Sequence, residues 1–264
     1  MPIWKIADRS LSADRTLVMA ILNVTPDSFS DGGCYVDPEK AVKRALELQA
    51  AGADVIDIGA QSTRPGYTAV SSEEEWARLE PVLTALAGRL SVPISVDTYL
   101  PEVAVRALDA GAQILNDVSG SLENGFLSIA AKSGAGLVIT APTADVSAYF
   151  DKALAAADAA RLDRRQICLD IGIGFGKNRE EDMAALRALP TLSEAFSEQL
   201  LMVGASRKRV TTHFAGDSPV DRRLGGTVAF HTLAQAAGAR MIRVHDVEEA
   251  VQAARLTDVY VKGE

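Results

Sequence analysis

Runs of Val, Ile and Leu recur along the chain, each bounded by glycine or polar residues: LVMAILNV, ADVIDIGA, PISVDTY, AQILNDVSG, GLVITAP, QICLDIG, LLMVGAS and MIRVHDV. Near-continuous apolar runs of this length predict strands buried on both faces. Between them lie segments rich in Ala, Leu, Glu and Arg with helical spacing, among them residues 38–51, 72–90, 101–110, 147–160 and 227–237. Strand and helix alternate, which predicts an α/β fold with a parallel sheet sheathed by helices. Eight such units in 264 residues is the arithmetic of a TIM (β/α)8 barrel, read here as a single domain over residues 1–264. The rival, an open doubly wound sheet, calls for a glycine-rich turn after its first strand, and none follows MAILNV. Helix starts agree with the barrel: Asp37-Pro38-Glu39 and Ser72-Glu73-Glu74-Glu75 put a capping oxygen ahead of first-turn carboxylates, where the helix dipole favours negative charge.

Composition narrows the function. A hydrophobic content of 48% suffices to fill one large core. The net charge of −8 argues against a nucleic-acid partner, since neutralising phosphates takes a basic face. Any grip on a polyanion must be local. Cys34 and Cys168 lack metal-ligand spacing and the N-terminus has no charged and apolar leader, which together fit a reducing cytoplasm. No apolar run reaches the length of a membrane span, so a membrane is not an expected partner.

Barrels of this kind build their reactive sites at the C-terminal ends of the strands. Asn23 closes the first run, Asp57 lies within the second, Asp97 closes the third, Asn116 the fourth and Asp170 the sixth; Ser206 and Lys208 follow the seventh, and Arg243 with His245 closes the eighth. Only the fifth, ending at Thr140, is poor in such groups. Any one of these carboxylates reads equally well as a helix cap. Converging on one mouth, they suit a ligand rich in N–H donors and ring nitrogens. Arg64, Lys208, Arg243 and His245 come from different loops to the same rim, which suggests an anion, and the loops after the last two strands are a frequent phosphate site. The alternative pairs Arg243 with a structural carboxylate and makes His245 a helix cap. NVTPDSFSDGG and QSTRPG combine Pro and Gly with hydroxyls and charges beyond what a connection requires. Both read as lids, with Thr63 and Arg64 reaching the anion and Phe29 and Pro65 walling an aromatic co-substrate. GIGFGK lacks the spacing of a phosphate-binding P-loop.

In order along the chain, ILNVTPDSFSDGG, GADVIDIGAQSTRPG, ISVDT, ILNDVSG, DIGIGFGKN, GASRK and IRVHDV resemble the dihydropteroate synthase family of pterin-binding barrels, nearly end to end. The resemblance implies condensation of (7,8-dihydropterin-6-yl)methyl diphosphate with 4-aminobenzoate, giving 7,8-dihydropteroate and diphosphate in folate biosynthesis, with Mg2+ on the departing group. It implies that Asp97, Asn116, Asp170 and Lys208 surround the pterin, Asp170 taking two N–H donors of its amino-pyrimidinone edge. Asn23, Thr63, Arg64, Arg243 and His245 would hold the diphosphate, and Asn23 would also contact the metal. Ser206, Phe29, Pro65 and Lys208 would bound the 4-aminobenzoate slot, and Asp97, Lys208, Arg243 and His245 would carry catalysis. A homodimer through outer helices is implied as well. The chain departs from the family pattern at Ile139 and Thr140, where a methionine and a histidine are expected, at Gln61 for glutamate, at Ile171 for proline and at Arg209 for a hydroxyl. These departures keep two other readings in view: a pterin-dependent methyltransferase, and a pterin-binding paralogue with weakened catalysis. The first has no use for STRPG and RVHDV, because its substrate carries no diphosphate. The second predicts lost anion ligands, yet Asn23, Arg64, Arg243 and His245 are all present.

Overall fold

A strand pair that the hydrophobic pattern does not announce opens the chain. In this computed structural model, which describes residues 2–25, 37–61, 70–212, 216 and 218–263, β1 (Ile3–Ile6) and β2 (Arg9–Ser12) form an antiparallel hairpin. The eight expected runs follow as β3 (Leu17–Asn23), β4 (Val55–Gly59), β5 (Ile94–Asp97), β6 (Ile114–Asp117), β7 (Gly136–Thr140), β8 (Ile167–Asp170), β9 (Leu200–Val203) and β10 (Met241–Val244). They close into a barrel in the order β10-β3-β4-β5-β6-β7-β8-β9, each neighbouring pair parallel. Each strand leads into a helix: α1 (Pro38–Ala50), α2 (Ser72–Leu86), α3 (Pro101–Asp109), α4 (Phe126–Ser133), α5 (Val146–Ala159), α6 (Arg179–Ala195), α7 (Leu224–Ala236) and α8 (Val247–Lys262). This is the TIM barrel that the alternation implies.

The local signals hold with small shifts. Asp37 caps α1, accepting from the backbone N–H groups of Glu39 and Lys40. The cap of α2 is Ser71 rather than Ser72, its hydroxyl accepting from Glu74 N–H at 3.2 Å. α2 stops at Leu86, short of the expected residue 90, and is followed by Gly88 at φ +70. α7 starts earlier than expected, running through Gly226, whose bare Cα approaches the carbonyl of Thr211 so closely that a Cβ would sit 1.9 Å from the oxygen. Gly226 is here a close-packing device, while a Cβ on Gly225 would meet open space.

Side chains alternate across each strand, so the barrel has an inside and an outside. Outward faces pack on the helices in two large clusters, one around β6 to β9 and one around β10 and β3 to β5. The interior floor is apolar: Leu17, Met19, Val55, Ile114, Val138, Cys168, Leu200, Met202 and Met241 cluster with Trp4 and Ile6 of the hairpin. The hairpin therefore plugs the barrel's lower end. Trp4 and Ile6 are wholly buried, and the indole N–H of Trp4 donates to the Gln166 carbonyl at 2.8 Å. Gly136 makes room for the plug, since a Cβ there would lie 2.4 Å from Ile6. Higher in the interior the lining turns polar on six of the eight strands, with Asp57, Ser95, Asn116, Thr140, Asp170 and Arg243. That change of chemistry sets the site at the C-terminal mouth.

Candidate active site

The centre of the mouth is a guanidinium shared by two carboxylates. Arg243 Nε donates to Asp57 Oδ2 at 2.7 Å, and its Nη2 donates to Asp97 Oδ2 at 2.5 Å. Asp57 is fully buried and also accepts from Asn116 Nδ2 at 3.0 Å. One buried cation thus organises three strands, β10, β4 and β5, and through Asp57 a fourth, β6. Two carboxylates against one guanidinium leave the second poorly compensated. Burial pushes Asp97 up to about 7, Arg243 holding it back while Asp57 and Glu75 push it further.

Asp170 sits at the end of β8, buried, its Oδ1 accepting from Gly172 N–H at 3.0 Å. Burial raises its pKa, opposed first by Lys208. Gly204 lies between Asp170 and Arg243: a Cβ on it would be 3.6 Å from Arg243 Cβ and 3.9 Å from Asp170 Oδ2. Carboxylate and guanidinium therefore flank one opening rather than opposite ends of the molecule. Lys208 Nζ donates to the Ile173 carbonyl at 2.5 Å and lies 4.4 Å from the Phe175 ring centroid. Burial draws this ammonium down to about 8, although Asp170 pulls it up.

The loops after β9 and β10 are cross-tied. Ser206 Oγ and His245 Nδ1 are 2.9 Å apart, and the His245 backbone N–H donates to the same hydroxyl at 3.2 Å. Next to them Arg207, at φ +59, makes a bidentate pair with Asp246. His231 on α7 accepts from Ala205 N–H at 3.1 Å, a bond that requires a neutral ring nitrogen. Burial pulls that imidazole down to about 3, which keeps it neutral.

Sequence reasoning brings together Asp97, Asn116, Asp170, Lys208, Ser206, Arg243 and His245, and the structure gathers them at this mouth, with Asn23 closing β3. Arg243 lies deeper than a rim cation, tied to the carboxylates that the alternative reading assigned to it. The N-cap residue of α8 is Asp246, which makes no side-chain cap bond, and His245 Nδ1 faces the Ser206 hydroxyl. Phe29, Thr63, Arg64 and Pro65 lie outside the described residues. Three residues of consequence escape the reading. Asp57 was seen as a strand polar residue but not as the partner of Arg243. Glu75 reads as a first-turn carboxylate, yet it turns inward, wholly buried. Lys177 closes GIGFGK and threads back, donating to the carbonyls of Ala141 at 2.6 Å and Gly172 at 3.0 Å. That motif is a folded clamp: Gly172 at φ +68 approaches Ala141 so closely that a Cβ would be 1.9 Å from its oxygen.

Two departures from the family pattern have local reasons. Gln61 Nε2 donates to Glu75 Oε2 at 2.7 Å while its Oε1 accepts from Tyr99 at 3.0 Å. An amide supplies both a donor and an acceptor at any pH, where a glutamate facing Glu75 would need a proton. Ile171 uses the N–H that a proline lacks, donating to the Met202 carbonyl at 3.3 Å.

Among the described residues no three His, Cys, Asp or Glu side chains converge as a metal site. A magnesium ion held chiefly by a ligand's phosphate oxygens and water needs only one or two protein oxygens. Asn23 offers an amide oxygen at the mouth, and the carboxylates of Asp57 and Asp97 outnumber the charge of Arg243. The donor set fits such a hard cation.

The family described as pterin binding enzyme matches residues 19–245. The chain is 40% identical over 265 residues to the dihydropteroate synthase of Escherichia coli (strain K12), covering 94% of this chain and 93% of that one. Its structure is similar to dihydropteroate synthase from Xanthomonas albilineans with 4-aminobenzoic acid, at TM-score 0.91, 39% identity and 98% of both chains. It is also similar to the Xanthomonas albilineans enzyme in complex with 7,8-dihydropteroate, at TM-score 0.88, 37% identity and 98% of both chains.

Proposed function

Since the chain belongs to the pterin binding enzyme family, we propose that its barrel mouth divides the labour of a dihydropteroate synthase between acidic and cationic side chains. The overall activity is that of the relatives: (7,8-dihydropterin-6-yl)methyl diphosphate and 4-aminobenzoate give 7,8-dihydropteroate and diphosphate. The observation that carries the division is the shared guanidinium, with Asp97 on one side of it and Asp170 across Gly204 on the other.

Asp170, Asn116 and Asp97 present oxygens to the N–H groups of the pterin, and Lys208 presents a donor to its carbonyl side. As the C–O bond to diphosphate breaks, the electron pair leaves with the phosphate and positive charge grows on the pterin methylene. Ionised Asp97 stabilises that charge, while Arg243, His245 and the loop residues Thr63 and Arg64 stabilise the anion. Asn23 would hold magnesium, which would supply further charge neutralisation on the departing diphosphate. The amine nitrogen of 4-aminobenzoate, between Ser206, Lys208, Phe29 and Pro65, forms the new C–N bond and sheds its proton afterwards. Diphosphate release by the purified chain is expected only when both substrates are supplied; release with the pterin substrate alone, or none with both, would overturn this reading.

The chain also reads as a cytoplasmic homodimer. Leu256 and Tyr260 on α8 are 73% and 81% exposed, with Val259, Val261 and, on the adjoining α7, Leu233 also exposed. Leu256, Val259 and Tyr260 stand at i, i+3 and i+4 on one face of α8, an exposed apolar stripe on an outer helix that suits a self-complementary contact. Light scattering is expected to give a dimer mass for the native chain and a monomer mass for the double variant Leu256→Asp, Tyr260→Asp, with turnover of the reaction used to confirm folding. A native monomer would refute the assignment.

A further inference from the structure

We infer that Thr140, the residue closing the one strand that reads as chemically poor, is a specificity residue that reads the exocyclic amino group of the bicyclic ligand. The inference rests on the pterin reading of the mouth and adds a contact to it. β7 faces inward at Val138, which belongs to the interior floor, so the alternation of the strand turns Thr140 inward one position higher. In register Thr140 lies beside Asp170 on β8, and Val138 beside Asn116 on β6. Thr140 therefore stands between the two groups that offer oxygens to the ligand.

Its hydroxyl is wholly buried and has no hydrogen-bond partner among the described residues. The same holds for Asn116 Oδ1, whose amide nitrogen is committed to Asp57. Buried polar atoms are almost always paired, and leaving one without a partner costs more than a formed bond contributes. Two adjacent orphan oxygens facing the same interior thus point to a ligand edge with N–H groups beyond those that one carboxylate can take. An exocyclic amino group beside a ring N–H is such an edge: Asp170 accepts one hydrogen from each, and the second amino hydrogen turns toward Thr140 and Asn116.

The test compares two probes by calorimetric titration on the full chain: 6-hydroxymethylpterin and its counterpart lacking the 2-amino group. Thr140→Val keeps shape and removes the hydroxyl, and is expected to weaken the amino probe about tenfold, the size of one lost hydrogen bond, while changing the deamino probe less than about twofold. Thr140→Ser is expected to restore most of the loss. Equal weakening of both probes, or no weakening of either, overturns the assignment by making Thr140 a packing residue. A native chain that binds neither probe fails earlier, at the pterin reading itself, and takes this inference with it.

Discussion

Arg243→Ala is expected to lower the midpoint of thermal unfolding by on the order of 10 °C at pH 8 and by distinctly less at pH 5. Breaking a buried ion pair by removing one partner costs about 3–5 kcal/mol, because the remaining charge is stranded. Here two are stranded at once. Asp57 is fully buried and Asp97 nearly so, at 13% side-chain exposure, and no other cation is hydrogen-bonded to either among the described residues. In the variant the folded state binds protons that the unfolded state releases, so its stability is greatest at low pH and is lost as the pH climbs. The deficit against the native chain must therefore widen from pH 5 to pH 8. Binding of the diphosphate substrate should fall, and that of the diphosphate-free pterin alcohol with it, because Asp57 without Arg243 no longer fixes Asn116. Arg243→Lys keeps the charge but cannot span both carboxylates, and should recover only part of the loss. Melting curves across the pH range decide the matter: a deficit independent of pH would mean that Arg243 contributes packing rather than charge.

How much of this was legible beforehand follows from what a linear pattern can carry. Asp97, Asn116 and Asp170 stand out because a polar residue ending an apolar run has few structural reasons to be there, and the barrel rule says where such ends meet. The partner of Arg243 could not be read in the same way. Asp57 lies 186 residues away, and only closure of β10 onto β3 brings the two strands close enough for the pair to form. Glu75 was hidden by a competing local signal: three consecutive acids at a helix start look like dipole partners, although the third turns inward to Gln61. The hairpin was missed because IWKI alternates over just four residues, with Ile3 exposed, and its burial depends wholly on the barrel floor above it. Thr140 shows the converse error. A lone hydroxyl reads as unremarkable until the interior face and its missing partner are known.

Asp97→Asn is expected to cut turnover by about a hundredfold to a thousandfold, the usual effect of losing one well-placed electrostatic contact, and at the same time to raise the unfolding midpoint at pH 8. The two effects have one cause. Asp97 is held at about 7, first by burial, despite the guanidinium beside it. A carboxyl raised above its unfolded value of about 4 contributes stability that is complete at acid pH and lost as the pH rises through about 7. Asparagine carries no charge to lose, so the variant should match or trail the native chain at pH 5 and exceed it at pH 8. Catalysis runs the other way, since only the ionised carboxylate stabilises the cationic methylene. The native rate should rise with an acid limb near 7 and fall on an alkaline limb near 8 as Lys208 gives up its proton. In Asp97→Asn the acid limb should vanish while the alkaline limb remains. Should the variant keep its acid limb, the titrating group is another residue; should its stability follow that of the native chain at every pH, Asp97 is not the strained carboxylate of this site.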